Sequence, residues 1–186
     1  TGVQTCALPI SLLPLLSVLL LAGPAIADVA PRPPEKPVER GEPPKNMIVL
    51  DGGTLVLGGA PTPQQLAVFA DKGFTTVIDL RSPKEPGYEQ ESDQAKLLGM
   101  TWKGLPIAGA GDLSFANARA MLKLLEEAEG PVLLHCASGN RVGALFALGI
   151  GQIRGTTVDE AIAYGKARGL TRLEPVVREL LSPKPE

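Results

Sequence analysis

The chain has 186 residues, and its 20 acidic and 18 basic side chains give a formal net charge of −2 at neutral pH. This balance excludes the basic surface of a typical nucleic-acid-binding protein, and an aromatic content of 4% argues against base-stacking platforms for single strands. The single histidine, His135, excludes a zinc site built from several histidines. We therefore expect a protein that works without nucleic acid, metal or another cofactor.

Three segments precede the predicted domain. Residues 1–10, TGVQTCALPI, read like a translated sequencing adaptor, so we expect an assembly artefact, the alternative being a genuine leader. Residues 11–27 combine a short apolar run with Ala25-Ile26-Ala27, the pattern of a signal peptide and its cleavage site. Residues 28–46 are Pro-rich and charged, which is typical of an extended linker. We expect export to the bacterial periplasm or secretion, cleavage before Asp28, and no stable membrane insertion afterwards.

The remaining residues, 47–186, are predicted to form one domain in which strands and helices alternate. The predicted elements, in order, are strands 47–50 and 54–59 around an Asp-Gly-Gly turn, a helix capped by Thr62 that ends at Gly73, strand 75–80, helix 88–98, strand 100–107, helix 113–129, strand 131–136, helix 141–154, a helix opened by the capping box Thr157–Glu160, and helix 171–181. The strands are continuous apolar runs. This pattern predicts an α/β fold with a mostly parallel central sheet and helices on both faces.

The loop after PVLLH carries the strongest functional signal. It opens with Cys136, continues through Ala137, Ser138, Gly139 and Asn140, and ends at Arg141, where an apolar helix begins. Backbone N–H groups at a helix N-terminus bind anions, and an arginine fork adds permanent positive charge. Both features stabilise a thiolate, so we expect Cys136 to be a nucleophile at neutral pH. With Cys6 outside the mature chain, Cys136 would have no partner for an intrachain disulfide.

His135 and Asp112 are the candidates for helping this cysteine. His135 precedes Cys136 on the strand, so the two side chains leave on opposite faces. We therefore expect His135 to lie buried behind the loop, bonding its backbone or simply filling the core, rather than to act as a general base. Asp112 lies in the Gly-rich segment AGAGDLSF. It is either a general acid on a mobile loop or the N-cap of the helix starting at Leu113.

Four other charged residues lie near predicted strand ends. Asp79 follows the strand TTVIDL and is a candidate for the pocket wall, because ligands of parallel sheets bind at the carboxyl ends of strands. Arg81 is either a ligand for the anion or a buried tether. Glu85 and Glu89 are expected to be solvated.

The segments GGAPTPQQLAVFADKGFTTVIDLR and HCASGNRVGAL resemble the phosphatase-like domain of bacterial beta-lactamase hydrolase-like proteins, within the protein tyrosine phosphatase superfamily. The resemblance extends over roughly residues 50 to 150. It implies a tyrosine-phosphatase-like three-layer fold with helices on both faces of the sheet. It also implies that Cys136 is the nucleophile, that Arg141 binds oxyanions, and that the amides of residues 137–141 bind the remaining oxygens.

Two positions depart from the phosphatase signature. Four residues, rather than the usual five, separate Cys136 from Arg141, which is the spacing of rhodanese-type sulfurtransferases. Val142 stands where both families often have Ser or Thr, whose hydroxyl helps the covalent intermediate turn over. The shorter loop has one amide fewer for a phosphoryl group and better suits a persulfide.

Three functions therefore compete. The first is a cysteine-dependent phosphatase-like hydrolase acting on a phosphorylated small molecule or protein. The second is a rhodanese-like sulfurtransferase that forms a Cys136 persulfide between a sulfur donor and an acceptor. The third is a catalytically weak module that only binds phosphate or another anion.

Overall fold

The computed structural model describes residues 42–153 and 155–182. The predictions for residues 1–10 and 11–27, and for most of the linker 28–46, fall outside the described residues. Within the described ranges, no helix has both the length and the apolar character needed to cross a membrane.

The centre of the domain is a five-stranded sheet with one antiparallel edge. Its strands are β1 (Ile48–Leu50), β2 (Leu55–Gly58), β3 (Thr76–Asp79), β4 (Thr101–Gly104) and β5 (Val132–His135). The spatial order is β1-β2-β5-β3-β4, with β1 antiparallel to β2 and all other neighbours parallel. The β1–β2 connection needs a left-handed backbone at Gly52 and Gly53, which glycine adopts without strain. This order places β5 between β2 and β3.

Six helices cover the two faces of this sheet: α1 (Pro63–Asp71), α2 (Tyr88–Leu97), α3 (Phe115–Glu126), α4 (Asn140–Ile150), α5 (Val158–Lys166) and α6 (Glu174–Leu181). Successive side chains of β5 point to opposite faces of the sheet. Leu134 packs into the larger core with α3 to α6, whereas Leu133 packs into a smaller core with Leu66 of α1 and Ala95 of α2. The predicted α/β class, the mostly parallel sheet and the three layers are thus confirmed.

Helix α4 is the buried centre of the larger layer. All its residues from Asn140 to Gly149 are buried, against α3, α5 and α6. The close approach of α5 requires Gly143, because a Cβ there would lie 2.7 Å from the carbonyl oxygen of Gly165 and closer still to the backbone nitrogen of Leu170. The N-terminus of α4, where the loop that begins at Cys136 ends, is therefore held by packing on several sides.

The caps of two helices agree with the sequence, and the start of a third does not. Thr62 and Thr157 both form complete capping boxes, with Gln65 and Glu160 respectively. Helix α3 was predicted over 113–129 but spans Phe115–Glu126, and its N-cap is Ser114, whose hydroxyl accepts a hydrogen bond from the N–H of Asn117. The alternative role of Asp112 as the helix cap is therefore wrong.

Candidate active site

The cysteine loop is built at the carboxyl end of β5, between the ends of its two neighbours. His135 is in register with Gly58 of β2 and Asp79 of β3. The backbone nitrogen of Cys136 donates to the carbonyl oxygen of Gly58, and Ser138 forms an isolated bridge with Gly59. The loop therefore continues the sheet on one side before turning into α4.

The sulfur of Cys136 lies inside this loop. The side chain is fully buried, and the N–H of Gly139 donates a hydrogen bond to Sγ over 3.2 Å. Gly139 itself has a φ of 84°, a left-handed conformation that closes the loop and starts α4. The rim is more open, since Ala137 is exposed and Ser138 half-buried. The sulfur thus lies within hydrogen-bonding distance of a backbone donor of its own loop, below a more open rim.

The guanidinium of Arg141 is held by a carboxylate that the sequence did not assign to the site. Nη1 and Nη2 donate to the two carboxylate oxygens of Glu85, each over 2.7 Å, and Nη1 also donates to the carbonyl oxygen of Ile107. The hydrogen bonds to Glu85 raise the pKa of Arg141, to which the nearby Cys136 also contributes, and they lower the pKa of Glu85. Glu85 was expected to be solvated, and that prediction is wrong. Its side chain is 26% exposed and engaged at both oxygens.

Asp112 is connected to Arg141 through one peptide group. Its Oδ2 accepts a hydrogen bond of 2.7 Å from the N–H of Ala108, the residue bonded to Ile107. The peptide between Ile107 and Ala108 therefore receives Arg141 at its oxygen and points its N–H at Asp112. Among the described residues, no hydrogen bond or ion pair joins Asp112 directly to Cys136 or Arg141. Asp112 is exposed, and its role as a general acid stays a prediction.

Two side chains brace the outside of the loop. The Asn140 side-chain oxygen accepts hydrogen bonds from the backbone of Thr171 and Leu173, so it faces the α5–α6 connection. On the other side, Asn46 donates to the carbonyl oxygen of Ser138 over 3.0 Å. The sequence placed Asn46 at the end of the linker, but here it contacts the loop directly. The side chain of Asn140 therefore stabilises the loop by hydrogen bonds to the α5–α6 connection, whereas the sequence had suggested only a role for its backbone N–H.

Behind the sheet from Cys136 lies a buried ionic cluster of Asp79, Arg81, Glu91 and His135 (the ionic cluster). Arg81 donates to both oxygens of Asp79 and, through Nη2, to Glu91 over 2.8 Å. Nε2 of His135 lies 2.7 Å from the other oxygen of Glu91. Burial lowers the pKa of Arg81, but the hydrogen bond to Asp79 and the charge of Glu91 outweigh it, and the net pKa is raised.

Three residues that the sequence placed near the site, Asp79, Arg81 and His135, belong to the ionic cluster and have structural roles. Asp79 was a candidate for a pocket wall, but its side chain is fully buried against Arg81 and reaches no surface; Arg81 is a buried tether. His135 is buried behind the loop, as expected, with Nδ1 3.4 Å from the carbonyl oxygen of Cys136, but its shorter contact is to Glu91. Oxygen and nitrogen atoms of Asp79, Glu91 and His135 lie within 4.8 Å of one another. The Arg81 guanidinium already bonds both carboxylates, so these residues do not fit a metal ion.

The sequence analysis did not identify Glu85 or Glu91 as buried partners, although the sequence carries a partial signal for each. Glu91 and Ala95 are the buried residues of α2, four positions apart, so Glu91 occupies the face that packs on the sheet. Glu85 ends a Ser-x-x-Glu spacing, and its Oε1 accepts a hydrogen bond from the N–H of Ser82. That spacing fixes the local turn but does not indicate Arg141 as the partner, 56 positions away.

Comparison with known proteins agrees with this architecture. Residues 54–153 match the family described as "Beta-lactamase hydrolase-like protein, phosphatase-like domain". A beta-lactamase hydrolase-like protein of Xylella fastidiosa is 31% identical over 119 residues, which are 62% of this chain and 27% of that protein. The chain thus spans about a quarter of the length of the curated relatives it matches.

Solved structures with the same fold are phosphatases by their descriptions. A Neisseria meningitidis protein described as a candidate phosphatase aligns with a TM-score of 0.57 and 27% identity, over 68% of this chain and 90% of that one. TpbA of Pseudomonas aeruginosa, solved with phosphotyrosine, aligns with a TM-score of 0.53 over 73% of this chain and 87% of that one. At 18% identity, the second likeness shows the fold alone.

Proposed function

Because the chain belongs to the family of phosphatase-like domains of beta-lactamase hydrolase-like proteins, we propose that it hydrolyses phosphomonoesters with Cys136 as the nucleophile. The observation that carries this proposal is the position of the sulfur. It lies at the N-terminus of a buried helix, accepts the Gly139 N–H, and shares its loop with Arg141. The natural substrate would be a phosphorylated small molecule or protein, as the phosphotyrosine bound to TpbA illustrates for that protein.

In the proposed reaction, the Cys136 thiolate attacks phosphorus and the bond from phosphorus to the ester oxygen breaks. The leaving oxygen takes a proton from Asp112, whose loop is tied to Arg141 through the Ile107–Ala108 peptide. Water then gives a proton to the Asp112 carboxylate and attacks phosphorus, and the sulfur–phosphorus bond breaks, releasing phosphate and the Cys136 thiolate. Arg141 and the loop amides stabilise the negative oxygens throughout. Val142 offers no hydroxyl to this second step, so we expect slow turnover of the intermediate.

Sulfur transfer is the second candidate, and two observations favour it. Only four residues separate Cys136 from Arg141, so the loop has few amides with which to surround a phosphoryl group. In addition, Arg141 is already paired with Glu85, which lowers the positive charge available to a phosphate dianion. A Cys136 persulfide would place one extra sulfur in the same loop. It would form when the thiolate takes the outer sulfur of a donor such as thiosulfate, releasing sulfite.

Intact-mass spectrometry on the reduced chain separates the two reactions. The chain and its Cys136→Ser variant would be incubated with thiosulfate and then with cyanide, and separately assayed with an aryl phosphate. Aryl phosphate turnover by the parent chain alone, without a gain in mass from thiosulfate, is the result expected for the hydrolase. A gain of one sulfur on the parent alone, lost on adding cyanide, without aryl phosphate turnover, would replace the hydrolase with the sulfurtransferase. The variant also controls for Cys6, the other cysteine of the chain.

We also propose that the protein acts after export, as the apolar run at residues 11–27 indicates. N-terminal sequencing of the secreted or periplasmic protein is expected to begin at Asp28. A mature N-terminus upstream of Ala27 would contradict the predicted cleavage.

A further inference from the structure

The carbonyl oxygen of Ser138 and the N–H of Gly139 belong to one peptide group (the Ser138–Gly139 peptide), and both ends of it are bound. The oxygen accepts a hydrogen bond of 3.0 Å from the side-chain nitrogen of Asn46, which contacts the loop from outside. The N–H donates to the sulfur of Cys136 inside the loop. Because the oxygen and the N–H of a trans peptide point in opposite directions, Asn46 holds this peptide with its N–H turned inward.

The loop by itself determines this orientation only weakly. Gly139 has a φ of 84°, and glycine adopts negative φ about as readily, so the peptide that precedes it is free to rotate. The peptide that follows is fixed, because the carbonyl oxygen of Gly139 accepts the N–H of Gly143 in α4. Rotation would bring the carbonyl oxygen of Ser138 into the loop in place of the N–H. An oxygen with partial negative charge there would repel an anion instead of binding it.

Asn46 is itself held in place by the backbone around it. Its φ of 54° is left-handed, a conformation that asparagine tolerates better than most side chains. The preceding carbonyl oxygen, of Lys45, accepts the N–H of Gly59 over 2.8 Å. Further back, the carbonyl oxygen of Glu42 accepts a hydrogen bond from the side chain of Gln65 in α1. The chain before β1 is therefore tied to the end of β2 and to α1, which gives Asn46 a fixed position beside the loop.

We propose that Asn46 is a positioning residue that keeps the Ser138–Gly139 peptide in the orientation that binds an anion beside Cys136. Asn46 precedes residues 54–153, which match the family of phosphatase-like domains, so this role lies outside the matched region. The inference rests on the proposed function only in taking the Cys136 loop as the place where the charged group of the substrate binds. Asn46 takes no part in the chemical steps.

Loss of the Asn46 side chain is expected to raise KM and to leave kcat unchanged. Without its hydrogen bond, part of the free protein has the peptide turned the wrong way, and the apparent affinity falls with the fraction that stays competent. A bound substrate selects the competent orientation, so the saturated protein reacts at its ordinary rate. One neutral hydrogen bond changes such an equilibrium by about two- to tenfold, which sets the expected rise in KM.

Asn46→Gly removes the side chain and leaves a residue that accepts the same backbone conformation. Asp51→Gly is the matched control, because Asp51 also has a left-handed backbone, with a φ of 50°, in the connection between β1 and β2 at the opposite end of β2. On the full chain and both variants, kcat and KM would be measured with an aryl phosphate and the Kd of inorganic phosphate by calorimetry. Asn46→Gly should raise KM and Kd by the same factor, about two- to tenfold, with kcat within about twofold of the parent. Asp51→Gly should change none of them.

Unchanged KM and Kd in Asn46→Gly would overturn the inference, as would an equal loss of affinity in Asp51→Gly or no phosphate binding in any of the proteins. A fall in kcat at constant KM would indicate loss of folded protein, and a rise in KM without weaker phosphate binding would indicate contact with the aryl group. Either result would also overturn it. If the parent chain binds phosphate but does not turn over the aryl ester, the hydrolase proposal fails, and the phosphate Kd of the two variants alone decides the role of Asn46.

Discussion

Glu91→Gln is expected to lower the free energy of unfolding by about 3–5 kcal/mol, because it breaks a buried ion pair on one side. The Glu91 side chain is 6% exposed, and its two oxygens receive Arg81 at 2.8 Å and His135 at 2.7 Å. Glutamine has the same shape but only one acceptor oxygen. If its amide nitrogen faced Arg81, one buried donor would meet another donor; if it faced Nε2 of His135, that nitrogen could accept only with the imidazole proton on Nδ1, whose nearest acceptor is 3.4 Å away. The charge of Arg81 would also lose one of its two carboxylates.

Urea unfolding followed by the fluorescence of Trp102, the single tryptophan, would measure this loss. Trp102 lies in β4, within the sheet that contains the ionic cluster's strands, so it reports on unfolding of the same domain. A loss of about 3–5 kcal/mol is a large part of the 5–15 kcal/mol typical of a domain, so the midpoint should fall clearly while the slope of the transition stays constant. Glu89→Gln changes the same charge on an exposed position of α2 and should stay within about 0.5 kcal/mol of the parent.

A loss below about 1 kcal/mol for Glu91→Gln, with the control also unchanged, would refute the reasoning. It would mean that Arg81 and His135 find other acceptors in solution, and that the ionic cluster does not depend on the Glu91 carboxylate. A change in slope would instead indicate an altered unfolded or native ensemble and would require a second probe.

Three further predictions concern the frame around the site. Gly143→Ala should lower the free energy of unfolding in urea by about 1–3 kcal/mol or more, because the new methyl group would collide with the backbone of the α5–α6 connection. Gly111→Ala is the control, since a methyl group there has open space and should leave the stability nearly unchanged. Thr157→Ala should cost about 1 kcal/mol through loss of the capping box, and a thermal midpoint equal to the parent's would contradict it. The hydrogen bonds from Arg141 lower the pKa of Glu85 in the folded state. The ionised carboxylate therefore stabilises the folded state fully above the ordinary pKa of 4.5, and this stabilisation is lost as the pH falls through the lower pKa of the folded state. The stability gap between the parent and Glu85→Gln should therefore be present at pH 7 and shrink in acid, and a gap independent of pH would count against the pair.

Most of the fold follows from local patterns in the sequence. The β-branched and leucine-rich runs predicted the strands, and Thr62 and Thr157 predicted the starts of two helices, because these signals act within a few residues. The alternation along β5 also predicted that His135 and Cys136 face opposite sides, which the two separate cores confirm. The error at α3 has a local cause as well. Asp112 and Ser114 are both good caps, and the competing hydrogen bond of Asp112 to Ala108 decides between them.

The missed residues of the site depend on contacts between distant parts of the chain. A glutamate is solvated by default, and only a partner in space changes that expectation. Glu85 meets Arg141 across 56 positions, and Glu91 meets His135 across 44. No periodicity in the sequence encodes either pairing. The strand order β2-β5-β3 brings them together, since it places the segment after β3 and the loop after β5 at one edge of the sheet.

The position of His135 joins the ionic cluster to the candidate active site. His135 and Cys136 are consecutive residues at the end of β5, so any shift of this strand by one residue would exchange the faces on which they lie. Such a shift would remove His135 from Glu91 and would separate the N–H of Cys136 from the carbonyl oxygen of Gly58. A buried ionic cluster is a weak source of stability compared with apolar packing, but it tolerates few alternative arrangements. We infer that the contacts of His135 within the ionic cluster help to fix the register of β5, and with it the position of Cys136 at the end of the strand.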